Sequence, residues 1–175
     1  MPLLVLPGLP AGGEQFPAQT ISDEVNWMEC TVQWMQPAAG EGMAFVATTG
    51  SGHVIVMDGA PATRPGEPGG HNLAPRPMET VLAGTGGCTA YDVVYILKKA
   101  RQDVRDCSVR LSAERASTDP KVFTSIHMHF VVSGKGLDPS RVERAVALSH
   151  EKYCSASAML ARTATITTSV EIVET

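Results

Sequence analysis

The segment from Met78 to about Ala100 constrains this chain more than any other. It is long and apolar, and it is entered from a stretch, 59–77 (GAPATRPGEPGGHNLAPRP), so rich in proline and glycine that it reads only as a loop. Its second half, with Tyr91, Val93, Val94, Tyr95, Ile96 and Leu97, leaves almost no polar face before Lys98. That pattern fits a helix buried on several sides, so the rest of the chain has to cover it. Its middle, Ala83-Gly84-Thr85-Gly86-Gly87-Cys88, costs roughly 1 kcal/mol per glycine relative to alanine. The spacing therefore predicts a kink, a close backbone approach or a helix break there, with Cys88 in the first turn of the helical run that follows.

The covering material reads as strands. Met28, Cys30, Val32 and Trp34 alternate with Glu29, Thr31, Gln33 and Met35, the period-two signature of a half-buried strand. Further strands are predicted around 43–48 and 52–58, joined as a hairpin at Gly50-Ser51-Gly52. After the helix, Cys107, Val109, Leu111 and Ala113 alternate with polar residues, and then Val122, Thr124, Ile126, Met128, Phe130 and Val132 alternate with their neighbours. Thr118-Asp119-Pro120 supplies the turn between these two strands. Asp138-Pro139 offers an N-cap and a proline at the first helical position, and Val142, Ala145, Val146 and Ser149 keep helical spacing. That helix is predicted to break near Tyr153-Cys154-Ser155, with Ser155 capping a short helix through Ala161. Ile166, Thr168, Val170 and Ile172 then form a closing strand. The order defines an α+β fold in which sheets cover helices. Residues 1–24 read as an N-terminal extension without chemistry, and 25–175 as one domain.

Composition removes several function classes. The chain has 175 residues, 43% of them apolar, which suffices for one real core. Fourteen basic against eighteen acidic side chains give a formal charge of -4, so no positive excess exists to neutralise a phosphate backbone and nucleic acid is not an expected partner. No basic residue precedes Arg64, so any anion-recognising arginine comes from position 64 onward. No apolar run approaches a membrane span and the opening segment lacks a charged signal-peptide start, so no membrane association is expected and a cytoplasmic protein is. Four cysteines, Cys30, Cys88, Cys107 and Cys154, then read as free thiols rather than a disulfide scaffold.

The four thiols differ in setting. Cys30 and Cys107 lie in register with apolar strand neighbours, where a cysteine acts as a small hydrophobe with a raised pKa. Cys88 follows Gly86-Gly87, which remove side chains that would block a ligand, and a helix N-terminus there would favour thiolate. The alternative is that Gly-Gly-Cys merely permits tight packing. Cys154 stands at the helix break among polar neighbours; it is either a reachable thiol or an interhelical packing residue. The two are 66 positions apart, and the residues alone leave both alternatives open. His127 and His129 share a strand face within reach of His150 or Cys154, but a solvated histidine pair is commoner than a metal site, and no metal is expected. The glycine pattern fits no nucleotide-binding motif, and neither G-x-S-x-G nor H-E-x-x-H occurs.

Two stretches, PMETVLAGTGGCTAYDVV (77–94) and SHEKYCSAS (149–157), together resemble the OsmC/Ohr family of thiol-dependent hydroperoxide reductases. The likeness extends over about 25–173. It implies an OsmC-like fold with antiparallel sheets enclosing long central helices, an intertwined homodimer, and active sites at the subunit interface. It further implies a two-cysteine peroxidase in oxidative stress defence. Cys88 would attack the peroxide as thiolate and become a sulfenic acid, and Cys154 would resolve it as a disulfide. An external thiol or dithiol would restore the pair, with no bound cofactor and no metal. An apolar cleft would favour organic hydroperoxides over hydrogen peroxide.

The supporting shell departs from the family pattern. Met78 stands directly after the proline, where the family carries its glutamate, and Glu79 follows nine positions before Cys88, a rotation of about 100° on a helix. Glu79 is then either the catalytic carboxylate or a helix N-terminal one favoured by the dipole. The family's activating arginine has no counterpart in the N-terminal strands. Arg64, Arg76 or an arginine of the partner subunit are the candidates, and Arg76 is taken because it adjoins the motif. A second class of function is a dimeric, non-enzymatic module that binds a small apolar or thiol-containing ligand, with the cysteines acting as a redox sensor at most. A third is a structural domain in which both cysteines only pack.

Overall fold

The computed structural model of the chain describes residues 27–35 and 42–175. Its elements are β1 (Cys30–Trp34), β2 (Phe45–Thr49), β3 (Val54–Met57), α1 (Pro77–Lys99), β4 (Asp103–Arg115), β5 (Phe123–Lys135), α2 (Pro139–Leu148), a π-helical turn (Ser149–Tyr153), α3 (Ser155–Leu160) and β6 (Thr165–Glu174). This is the α+β arrangement read from the periodicities; the expected extension 1–24 lies outside the described residues. Among those described, no helix is long and apolar enough to cross a membrane.

The core forms on one sheet, ordered β4-β5-β6. The alternation in β5 sends Ile126, Met128, Phe130 and Val132 inward, where they meet Val93 and Leu97 of α1 and Val142, Ala145 and Val146 of α2. Each large apolar side chain buried this fully contributes about 1.5–3 kcal/mol. The strands β4 and β5 pair antiparallel as the hairpin expected. The closing strand corrects the all-antiparallel expectation, since β6 runs parallel to β5. The intervening helices carry the chain back along the sheet before β6 begins, as a parallel pairing requires.

Helix α1 is continuous over 23 residues, so the glycine run does not break it. A β-carbon placed on Gly86 would lie 2.6 Å from Cδ1 of Leu111 in β4. The glycine therefore serves the close helix-sheet approach, and packing outweighs its helix cost. Cys88 consequently sits in the middle of α1, not in a first turn as expected.

The other sheet, β1-β2-β3, corrects a second expectation. Strand β1 is exposed along its whole length rather than half-buried. Met28 is 89% exposed and Val54 61%, with Val32, Trp34 and Val56 also open. Cys30 is exposed too, and not the packed hydrophobe its register suggested. Nor is α1 covered all round: Val81, Tyr91 and Tyr95 lie on an open face, with Tyr91 71% exposed. Both surfaces carry apolar residues that stand open among the described residues.

Between β3 and α1, the proline- and glycine-rich loop is organised by one buried carboxylate. Asp58 accepts N–H bonds from Gly59 at 2.7 Å and from His71 and Leu73 at 3.0 Å each. A side chain on Gly70 would run into the Asp58 carboxylate and the Gly59 carbonyl. The Leu73 bond does most to hold the Asp58 pKa below its ordinary value; burial opposes it, and the bonds from His71 and Gly59 assist. A depressed carboxylate stabilises the fold above its unfolded-state pKa, and the contribution disappears as pH falls through the folded-state value. Asp58→Asn is therefore expected to lower the denaturant midpoint at neutral pH and to flatten its acid dependence. Denaturant unfolding of both proteins from neutral into acid pH checks this; parallel profiles would contradict it.

Candidate active site

Cys88 and Asp92 are one helical turn apart on α1, so their side chains project from the same face. What they face is the irregular end of α2. There the helix widens into the π-helical turn Ser149–Tyr153, and the chain breaks at Cys154, whose φ of -72° and ψ of 102° are extended. The Cys154 N–H donates to the Ser149 carbonyl at 2.8 Å. Its sulfur accepts the Ser157 N–H at 3.3 Å and thereby caps α3. The cap is thus Cys154 and not Ser155, which the sequence had suggested. This local geometry buries Cys154, which is 2% exposed, and aims it at α1.

The Sγ atoms of Cys88 and Cys154 and a carboxylate oxygen of Asp92 all lie within 4.8 Å of one another. Ser149, fully buried, donates its hydroxyl to Oδ2 of Asp92 at 3.0 Å and fixes the carboxylate against the thiols. Sequence reasoning missed both Asp92 and Ser149. The signal for Asp92 was its spacing of four from Cys88 on a predicted helix; Ser149 opens the stretch that carries Cys154, but nothing in the order of residues shows that it reaches α1.

The electrostatics of Cys88 differ from those of a thiol at a helix N-terminus. Burial, first, pushes its pKa up, and the hydrogen bond with Cys154 pushes it further. The Ala156 backbone N–H opposes this, while the charges of Cys154 and Asp92 add to the rise. Cys107 packs against the core and is raised to about 11, mainly by burial and then by Asp106, a setting in which a thiol is inert.

The other two residues singled out lie elsewhere in the chain. Glu79 accepts the Arg76 N–H at 2.9 Å and so caps the start of α1. At 1.5 Å rise per residue, Glu79 stands about 13 Å and Arg76 about 18 Å along the helix from Cys88. Both line a cleft of about 470 Å³ that also takes in Leu82, Arg115 and Phe123. One chain therefore brings Cys88 and Cys154 together and leaves Arg76 and Glu79 apart from them. On the outer face of the sheet, His127 bonds Thr167 and Ser169, and His129 bonds Ser169 and Glu171. These are partners that a solvated histidine pair finds without a metal ion.

A helix-borne thiol facing a second thiol at a helix break, over a three-stranded sheet, defines a class of two-cysteine α+β proteins. The chain belongs to the OsmC-like protein family, whose model matches residues 69–169. It is 46% identical over 146 residues to Protein YhfA of Escherichia coli (strain K12), covering 83% of this chain and 98% of that one. A hypothetical protein from Aquifex aeolicus VF5 superposes with a TM-score of 0.70 at 28% identity, covering 86% of this chain and 99% of that one. The organic hydroperoxide resistance protein OsmC from Legionella pneumophila shares the fold with a TM-score of 0.57 at 19% identity, covering 83% and 96%.

The raised Cys88 pKa has a direct consequence. In a Cys30→Ser, Cys107→Ser background, alkylation of Cys88 is expected to rise with pH through a midpoint above that of an ordinary cysteine. Asp92→Asn is expected to move that midpoint down, because a negative neighbour disfavours the thiolate. Iodoacetamide rates across pH check this, and an unshifted or higher midpoint in the variant would contradict it.

Proposed function

We propose that this protein is a two-cysteine peroxidase acting on organic hydroperoxides in the defence of the cell against oxidative stress. The observation that carries the reading is the approach of the Cys88 and Cys154 sulfurs to within 4.8 Å, close enough for a disulfide after a small side-chain movement. The Cys88 thiolate attacks the O–O bond; the leaving alkoxide takes a proton and departs as alcohol, and Cys88 becomes a sulfenic acid. The Cys154 sulfur then attacks the Cys88 sulfur, the disulfide forms, and the hydroxyl leaves as water. An external dithiol reduces the disulfide by exchange and leaves oxidised. A dithiol pool of that kind suits a cytoplasmic protein. The preference for organic peroxides rests on the open apolar face of α1 at Tyr91 and Tyr95, which in a cleft between subunits would favour an alkyl tail.

The reading includes a homodimer. It is supported by the open apolar face of α1 at Val81, Tyr91 and Tyr95 and by the uncovered sheet β1-β2-β3, surfaces of the sort that subunit contacts bury. We assign Arg76 and Glu79 their supporting role across that interface, since within one chain both stand too far along α1 to touch Cys88.

Mixing fully reduced protein with one equivalent of organic hydroperoxide is expected to yield a Cys88–Cys154 disulfide within seconds, located by peptide mass spectrometry. Cys88→Ser should lower peroxide turnover by roughly three orders of magnitude or more. Cys154→Ser should instead accumulate over-oxidised Cys88. Two thiols that stay free would overturn the peroxidase.

The dimer has its own check. Native mass spectrometry is expected to give twice the chain mass, and Tyr91→Glu to give monomers that keep the far-UV spectrum but lose turnover. A monomeric unsubstituted protein would sink the interface assignment.

A further inference from the structure

The same three side chains hold a chemistry that the peroxide reaction does not use. Two sulfurs and a carboxylate oxygen within 4.8 Å of one another are the donor set of a thiophilic divalent cation. We propose that Cys88, Cys154 and Asp92 form a three-ligand site for such an ion, Zn²⁺ being the type case, in the reduced protein, with a fourth position left for water or an added ligand.

The geometry is close to what the ion requires. Tetrahedral Zn²⁺ with Zn–S near 2.3 Å and Zn–O near 2.0 Å sets its donors about 3.5–3.8 Å apart, so donors within 4.8 Å of one another need close by no more than about 1.3 Å. The donors are also fixed from behind, as ligands of a metal site are. The buried Ser149 hydroxyl holds Oδ2 of Asp92, and the Ser157 N–H orients the Cys154 sulfur. Two different segments supply the donors, the middle of α1 and the extended break before α3, and both are anchored against the core. Among the described residues, no ion pair reaches Asp92. The site therefore collects a carboxylate and two potential thiolates with no side-chain cation paired to the carboxylate among the described residues, and a divalent ion would supply positive charge there.

Binding exchanges protons for the ion. The thiols ionise, up to two protons pass to solvent, and no electrons move. Occupancy and the disulfide are mutually exclusive, because both claim the same sulfur atoms. A bound ion would shield the pair from oxidation, and oxidation would release the ion. The site stands on its own geometry and holds whether or not the pair turns over peroxide.

Cobalt is the informative probe, because thiolate ligation gives sulfur-to-cobalt charge-transfer absorption that carboxylate or histidine sites lack. Anaerobic titration of the fully reduced chain with Co²⁺ is expected to raise that absorption to one equivalent, and Zn²⁺ to displace it. Cys88→Ser and Cys154→Ser should each remove the band. Asp92→Asn and Ser149→Ala should each weaken Zn²⁺ roughly tenfold or more in competition with a chromophoric chelator. Alkylating the thiols of the unsubstituted chain, which involves no risk of misfolding, should abolish the band as well. Joint replacement of His127 and His129 by alanine should leave it intact. Absence of the charge-transfer band, affinity unchanged by Asp92→Asn, or loss of binding on removing the two histidines would each overturn the assignment.

Discussion

The chemistry of this protein depends on how closely α1 lies on the sheet. Gly86 has no side chain where Leu111 of β4 comes nearest, so the helix axis can approach and Val93 and Leu97 reach the inward row of β5. A helix fixed at that depth has its rotation fixed as well. Cys88 and Asp92 then emerge on the flank that meets the end of α2, and the open face is left to Val81, Tyr91 and Tyr95. A glycine in a helix interior is weakening by itself, at about 1 kcal/mol. Here that cost is small beside the apolar area that the close approach buries.

The second thiol is placed by an irregularity. A regular continuation of α2 would have kept rotating its side chains past α1. The π-helical turn instead widens the helix for five residues, and the extended conformation of Cys154 ends it. The sulfur then has two roles at once, as the cap of α3 through the Ser157 N–H and as the neighbour of Cys88. Such turns are rare and cluster at functional sites. They recur there because they move one side chain without unfolding its surroundings.

Which features could be read from the order of residues follows from the same physics. The alternation over 126–132 was legible because β5 is covered by helices on one face and turns His127 and His129 to the other, whereas at its start Phe123 is buried and Thr124 exposed, the reverse of the expected phase, beside a register irregularity against β4. The helix at Asp138-Pro139 was legible because its cap is local: Asp138 accepts the Ser140 N–H within its own turn. The continuity of α1 through its glycines was not, since it is decided by Leu111, a residue of another element. The exposure of β1 was equally hidden, for its alternation records a face to be buried without saying by what. Asp92 was in view as a residue four after Cys88 and went unremarked, because a carboxylate beside a thiol is unremarkable until a second thiol arrives from 66 positions away. Cys88 faces Cys154 from the middle of α1, and the helix N-terminus that its glycines suggest lies eleven residues earlier.

An electrostatic deficit connects the site's two proposed uses. Burial, Cys154 and Asp92 all disfavour the Cys88 thiolate, and among the described residues the Ala156 N–H works the other way. The Ala156 bond weighs more than the Asp92 charge, but burial and Cys154 carry the balance and the net effect is a raised pKa. Positive charge brought to the sulfurs from outside the chain would favour the thiolate. The proposed arginine of a second subunit would supply that charge while leaving the sulfurs free to meet a peroxide; the proposed divalent ion would supply it by occupying them. The two answers use the same negative cluster and exclude each other at the sulfur atoms. Asp92, which a peroxidase alone would be better without, is the residue on which they differ: it raises the thiol that has to ionise, and it is the third ligand that a thiophilic ion would require.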